Sequence, residues 1–292
     1  MTGSSEIAFI ASLRGLPLHP GAHGLRDDAA VLDAAGLLVV TQDTLVQGVH
    51  VREDEDLADV AWKLVAVNLS DLAAKGAAPE GVLVTHMLGR DDEAFLQGLR
   101  DILEEFRVPL LGGDTVAAEG RRVWTCTAIG RATHTPVPRR SGARPGDAVY
   151  VTGALGRAML GMEERGSGSA NDLAYRRPAP LVEQGKALAP HVSAMMDVSD
   201  GLLLDAWRMA EASDCTFVLE KAAIPVADPD RADECLRWGE DYQLLFTAAP
   251  DTVLPTPATR IGSVGAKSAG RLLLDGQGLH PDEGSGLGYR HG

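Results

Sequence analysis

Cysteine is scarce. Cys126, Cys215 and Cys235 are the only three, and they form no CxxC pair. A disulfide framework and a structural zinc site are excluded on that ground, and a reducing compartment fits. Basic residues are in deficit. Lys and Arg number 27 against 41 Asp and Glu, a net charge of -14, which argues against nucleic-acid binding through a basic surface. An anionic substrate stays open, because Mg²⁺ held by carboxylates reverses the local sign. Long apolar runs are missing too. No segment reaches the roughly 18 uninterrupted apolar residues of a membrane span. The N-terminus lacks a basic region followed by an apolar stretch. The expected location is the cytoplasm, with no membrane partner.

The familiar phosphate and hydrolase motifs are absent as well. There is no GxxxxGK[ST] loop and no GxGxxG followed by an acidic residue. There is no GxSxG elbow and no HExxH. The eight histidines are scattered without metal-ligand spacing. A nucleotide would therefore be held through metal ions, backbone amides and a few basic groups. Arg140, in Arg139-Arg140-Ser141-Gly142, is a candidate phosphate contact; a plain surface arginine is the alternative.

What is present is an ordinary globular composition, 45% hydrophobic and 23% charged over 292 residues, enough for one large or two smaller domains. The stretch from Leu57 to Gly76 predicts one amphipathic helix. Asp56 caps its start, Gly76 follows its end, and Leu57, Val60, Ala61, Leu64 and Leu72 form its apolar stripe. Asn68 and Asp71 fall on the same stripe, where a carboxylate is costly unless paired. Ser70 or Asp71 capping a second turn is the alternative.

Strands and helices alternate in both halves, so the expected class is α/β or α+β. The Pro- and Gly-rich segment 133–146 is the linker candidate. Domains of 1–137 and 138–292 are expected. The tail after residue 274 is expected to be loose, except near Tyr289.

Aspartates recur where apolar strands stop. Asp43 follows Leu38–Thr41, Asp114 follows Leu110-Leu111-Gly112-Gly113, and Asp197 and Asp200 follow Met195-Met196. Asp27 and Asp28 precede a strand. Each alone reads as a turn or cap. Together with Asp71 they point to a shared cluster of hard oxygen ligands suited to Mg²⁺. Asp200 is also a candidate cap for a helix over 202–212.

The segments DDAAVL (27–32), DTLVQGVH (43–50), VNLSDLAA (67–74), GGDT (112–115), RSGARPGD (140–147), YVTG (150–153), DVSDGL (197–202) and GEDY (239–242) stand in one order. By them the chain resembles the thiamine-monophosphate kinase family. That family lies in the superfamily of aminoimidazole ribonucleotide synthetase and selenophosphate synthetase.

The resemblance implies ATP-dependent phosphorylation of thiamine monophosphate to thiamine diphosphate, with several Mg²⁺ ions. It implies a homodimer whose N-terminal sheets pair into a barrel, with a mixed α/β C-terminal domain outside. It also implies metal ligands or their neighbours at Asp28, Thr41, Asp43, Asp71, Asp114, Asp197 and Asp200. ATP would meet Asp28, Gly113, Asp114, Arg140 and Ser199. Thiamine phosphate would meet His50, Glu240 and Tyr289. No general base is assigned, because a phosphate oxygen is already an anionic nucleophile.

Arg26, Gln42, Arg157 and Trp238 depart from the family pattern, and the segment around 163–175 is short. The alternatives are a diverged superfamily member acting on another phosphate acceptor, or a non-catalytic nucleotide-binding regulator. The absence of an early cysteine argues against selenophosphate synthetase.

Overall fold

A computed structural model describes residues 6–25, 32, 35–268, 270–282 and 286–290. Two compact units emerge: Met1–Leu72 with Ala78–Ala132, and Ala73–Ala77 with Thr133–Gly292.

The first unit places three helices with a four-stranded sheet. In chain order its elements are α1 (Glu6–Leu13), β1 (Leu38–Val46), α2 (Leu57–Ala74), β2 (Ala77–Met87), α3 (Asp92–Glu105), β3 (Leu110–Val116) and β4 (Val123–Ala132). The strands run in the order β1-β4-β2-β3. β1 pairs antiparallel with β4, and β2 pairs parallel with β3.

The expected helix forms as α2, unbroken through Ser70 and Asp71. Asp56 accepts the Ala58 amide at 2.9 Å and caps it. Gly76, at φ +58°, turns the chain out of it. Val60, Ala61, Leu64 and Leu72 are fully buried, and so is Asn68, whose side-chain amide donates to the Leu64 carbonyl. Phe9, Phe95, Leu99, Ile102 and Trp124 fill the rest of this core.

Two strands run further than their apolar residues suggest. β1 continues through Gln42-Asp43-Thr44, and β3 runs through the whole Gly112–Thr115 segment. Asp43 and Asp114 thus lie inside strands rather than just after them. An edge strand with one neighbour tolerates polar side chains because little of it is enclosed. The strand expected over 29–32, with Arg26, Asp27 and Asp28, lies outside the described residues except for Leu32.

The second unit carries a seven-stranded mixed sheet. Its elements are β5 (Ala148–Val151), α4 (Arg157–Glu163), α5 (Ala170–Arg176), α6 (Val182–Leu188), β6 (Ala194–Asp197), α7 (Leu202–Ala212) and β7 (Thr216–Leu219). They continue with α8 (Ala232–Trp238), β8 (Leu244–Ala248), β9 (Thr259–Gly265), β10 (Leu272–Leu274) and β11 (Gln277–Leu279). The strand order is β11-β10-β7-β9-β5-β8-β6. α7 contributes Leu202, Leu203, Ala206 and Met209 to a core shared with Phe217, Leu245 and Ile261. The tail is not loose as expected: β11 pairs antiparallel with β10, and Leu287, beside the excepted Tyr289, is buried in that core.

Candidate functional site

The predicted site residues fall into three groups. The first is built on β1 and α2. Successive strand residues point to opposite faces, so Thr41, Asp43 and Leu45 share one side of β1, while Leu38, Val40, Gln42 and Thr44 share the other. Thr41 and Asp43 lie opposite Ala128 and Cys126 on β4. Both of those are buried. Burial pushes the Cys126 thiol far up, and the Asp43 charge adds to it. The Thr41 hydroxyl donates to Asp71 of α2, which gives the half-buried carboxylate on the apolar stripe its partner. Gln42 faces away and accepts from Thr127 at 3.0 Å, so this departure from the family does not intrude on the carboxylate face.

The second group is Gly113 and Asp114 on β3. A Cβ on Gly113 would stand 1.8 Å from the Val84 carbonyl oxygen, so only glycine lets β3 approach β2 there. Asp114 is exposed and accepts the Thr115 amide at 2.9 Å. β1 and β3 are the two edges of the sheet, with β4 and β2 between them. Asp43 and Asp114 thus stand three strand positions apart across the sheet, each position about 4.8 Å from the next. Among the described residues, no three His, Cys, Asp or Glu side chains gather closely enough to hold a metal ion by themselves. The donors are nonetheless hard oxygens throughout: the Asp43, Asp71 and Asp114 carboxylates and the Thr41 hydroxyl. That set fits Mg²⁺, which takes one or two carboxylates and completes its shell with water and phosphate oxygens.

The third group belongs to the second unit. Asp197 ends β6 and is buried. Ser199 and Asp200 form the following turn, and residues 239–242 lie against it. The Glu240 amide donates to the Ser199 carbonyl at 2.8 Å, and the Tyr242 amide to the Val198 carbonyl at 2.9 Å. Glu240 and Tyr242 adopt left-handed φ values of 56° and 49°, a strained choice for residues with side chains. The Tyr289 amide donates to the Asp200 carbonyl at 2.9 Å. Ser199, Asp200, Glu240 and Tyr289 are thereby brought together.

Asp200 does not cap α7. The capping position is Gly201, with no side-chain bond. Instead Asp205, in the first turn of α7, reaches back. Its Oδ2 accepts the Ser199 amide at 3.1 Å and the Asp200 amide at 3.0 Å. Arg208 donates to both Asp205 and Asp200. Burial pushes the Asp205 carboxyl up to about 6, helped by the Asp200 charge and against the pull of the Asp200 amide and Arg208.

Asp241 is a second residue the motif reading left without a role. Its carboxylate accepts the Gly156 amide at 2.8 Å and holds the start of α4, and burial pushes it up to about 7. In both cases the available signal was an acidic residue set in apolar or motif sequence.

His50 and Arg140 make contacts of another kind. The His50 Nδ1 accepts the Val46 amide at 3.1 Å and closes the turn after β1. Arg140 is exposed, and its carbonyl accepts from Ser213.

Two family models match: AIR synthase related protein, N-terminal domain, over residues 26–132, and AIR synthase related protein, C-terminal domain, over 144–274. The chain is thus a two-domain protein of the AIR synthase related class. Within that class, thiamine-monophosphate kinase of Escherichia coli (strain K12) is 35% identical, over 88% of this chain and 86% of its own. The Caulobacter vibrioides enzyme of the same name is 37% identical, over 80% and 73%.

The crystal structure of thiamine-monophosphate kinase from Stenotrophomonas maltophilia K279a is 32% identical. It superposes with a TM-score of 0.82 over 95% of this chain and 98% of that one. AaThiL complexed with AMPPCP and TMP is 28% identical, with a TM-score of 0.78 over 90% and 91%. The chain belongs to the thiamine-monophosphate kinase family. Escherichia coli HypE, 17% identical with a TM-score of 0.76, shares the fold.

Proposed function

We propose that this chain transfers the terminal phosphoryl group of ATP to thiamine monophosphate, forming thiamine diphosphate. The observation that carries the reading is the 35% identity, across both domains, to a thiamine-monophosphate kinase. The relative complexed with AMPPCP and TMP supports the pairing of an ATP analogue with a second phosphate compound.

The chemistry is direct in-line transfer. The acceptor oxygen is already anionic, so no strong base is required. The barrier is repulsion between two anions. Mg²⁺, when bound, would supply the neutralising charge and help align the reactants. Asp43, Asp71 and Asp114, with Asp28, Asp197 and Asp200, are the proposed carboxylates for it, and Thr41 holds Asp71 in place. Gly113, Arg140 and Ser199 are the proposed further ATP contacts, beside Asp28 and Asp114. His50, Glu240 and Tyr289 are proposed for thiamine phosphate, where Tyr289 could stack on a heteroaromatic ring.

The working form is read as a homodimer, residues 1–137 supplying the paired sheets and 138–292 the outer domain. Leu38 and Val40, 42% and 61% exposed on the outer face of β1, support it. So does the spread of Asp43 and Asp114 to opposite sheet edges, which suits a site shared by two copies.

The test is an assay with Mg²⁺ and ATP, following thiamine diphosphate directly, with thiamine as the control acceptor. Product from the monophosphate alone is expected. ATP binding without product would favour another phosphate acceptor or a regulator.

A further inference from the structure

The turn at Asp200 is held from every side. Its amide is bonded to Asp205 Oδ2 at 3.0 Å, its carbonyl oxygen accepts from the Tyr289 amide at 2.9 Å, and its carboxylate accepts from Arg208 Nη1. The same Arg208 nitrogen is 3.0 Å from Asp205 Oδ1. Asp205 is wholly buried, whereas Asp200 and Arg208 stay about 30% exposed at their side chains. One buried carboxylate thus ties together two consecutive backbone amides and the guanidinium that orients the next carboxylate.

A buried charge is costly to keep. A turn needing only stability would be served by a neutral cap, and no cap bond is present at Gly201. The energetic cost is placed where it fixes the direction of one exposed carboxylate.

We propose that Asp205 and Arg208 are positioning residues: they set the Ser199–Asp200 turn and aim the Asp200 carboxylate without touching substrate. This rests on the kinase reading, in which Asp200 serves Mg²⁺ and ATP. A fixed donor loses less freedom when it engages its ligand. Freeing the Asp200 carboxylate weakens metal and ATP use, whereas the bonds from the Glu240 and Tyr289 amides to the Ser199 and Asp200 carbonyls do not involve Arg208.

The experiment uses the full chain with Arg208→Met, which keeps the apolar stem, and Arg208→Lys, which restores the charge. In Arg208→Met the Mg²⁺ concentration for half-maximal rate is expected to rise about tenfold, the scale seen for outer partners of ligating groups. The KM for thiamine monophosphate stays within about twofold, and Arg208→Lys recovers part of the loss. Independently of turnover, amide hydrogen exchange in Asp205→Ala without Mg²⁺ or ATP is expected to quicken at least about tenfold at Ser199 and Asp200. Should that variant not fold, Arg208→Met is measured the same way, with Asp200 expected to quicken. A wild-type chain without turnover overturns the kinase reading. A wild type that turns over, beside an Arg208→Met variant with unchanged Mg²⁺ dependence or unchanged exchange, overturns the positioning role.

Discussion

His86 is enclosed by apolar and charged neighbours at once. Its ring stacks on Phe9 at 4.4 Å and tilts against Phe95 at 4.2 Å. Its Nε2 lies 2.9 Å from Asp92 Oδ1, which also accepts from Arg122 at 2.8 Å. Burial pulls the imidazole down to about 4 from its ordinary 6.5, against the pull of Asp92. The native state thus keeps His86 neutral where an unfolded chain would protonate it. Stability is fully present above pH 6.5 and is lost as pH falls from there toward 4, by about 3 kcal/mol from this group alone. Urea unfolding across that range is expected to show the slope, and His86→Phe is expected to flatten it. A slope unchanged in the variant would rule His86 out as its source.

At this scale the sequence displayed the acidic residues but not their partners. Asp71 on an apolar stripe demanded one, and Thr41 provides it. Asp205 carried a weaker signal, a lone charge in Leu202-Leu203-Leu204-Asp205-Ala206, because two of its partners are backbone amides that no residue type reveals, although the third, Arg208, stands at helical spacing.

Among the elements, α2 and α3 are locked by close backbone approach. A Cβ on Gly98 would stand 2.0 Å from the Ala58 carbonyl oxygen. Gly98→Ala must therefore part the two helices. The expected cost is about 1–3 kcal/mol, the usual scale of overpacking, despite the better helix propensity of alanine. Chemical denaturation measures it, and a stabilised variant would contradict the packing.

Periodic segments were the legible ones. α2 forms over its predicted span with its stripe buried, but it is not amphipathic as expected, since burial extends round it to Asp59, Lys63 and Ser70, and α7 has its predicted ends. Polar strand residues were harder, since Gln42-Asp43-Thr44 and Gly112-Gly113-Asp114-Thr115 have the composition of loops and become strand only by pairing. α5 was hidden for a similar reason. Its small-residue approach is organised by Ser169, which caps the Asp172 amide, and by Asp172, which gathers the Gly166 and Gly168 amides.

For the whole molecule, the outer face of β1 is the testable surface. Exposed apolar residues on a sheet edge invite pairing. Val40→Lys places a charge there and is expected to shift the proposed dimer toward monomer in sedimentation velocity, with the monomer still folded. A wild-type monomer would contradict the homodimer. The Pro- and Gly-rich segment read as the linker, 133–146, covers the gap between the two family-model matches. The separation of Asp43 from Asp114 was not legible, because strand order is a tertiary property.

Direct transfer on a carboxylate-lined site is tested by following the phosphoryl group itself. ATP labelled in its terminal phosphoryl group is mixed with thiamine monophosphate, Mg²⁺ and either the wild-type chain or Asp71→Asn. Label is expected in the outer phosphate of thiamine diphosphate, with no labelled protein and a rate at least about 100-fold lower in a folded Asp71→Asn variant. Label retained on the protein, or a wild-type rate in Asp71→Asn, would contradict direct transfer on that site.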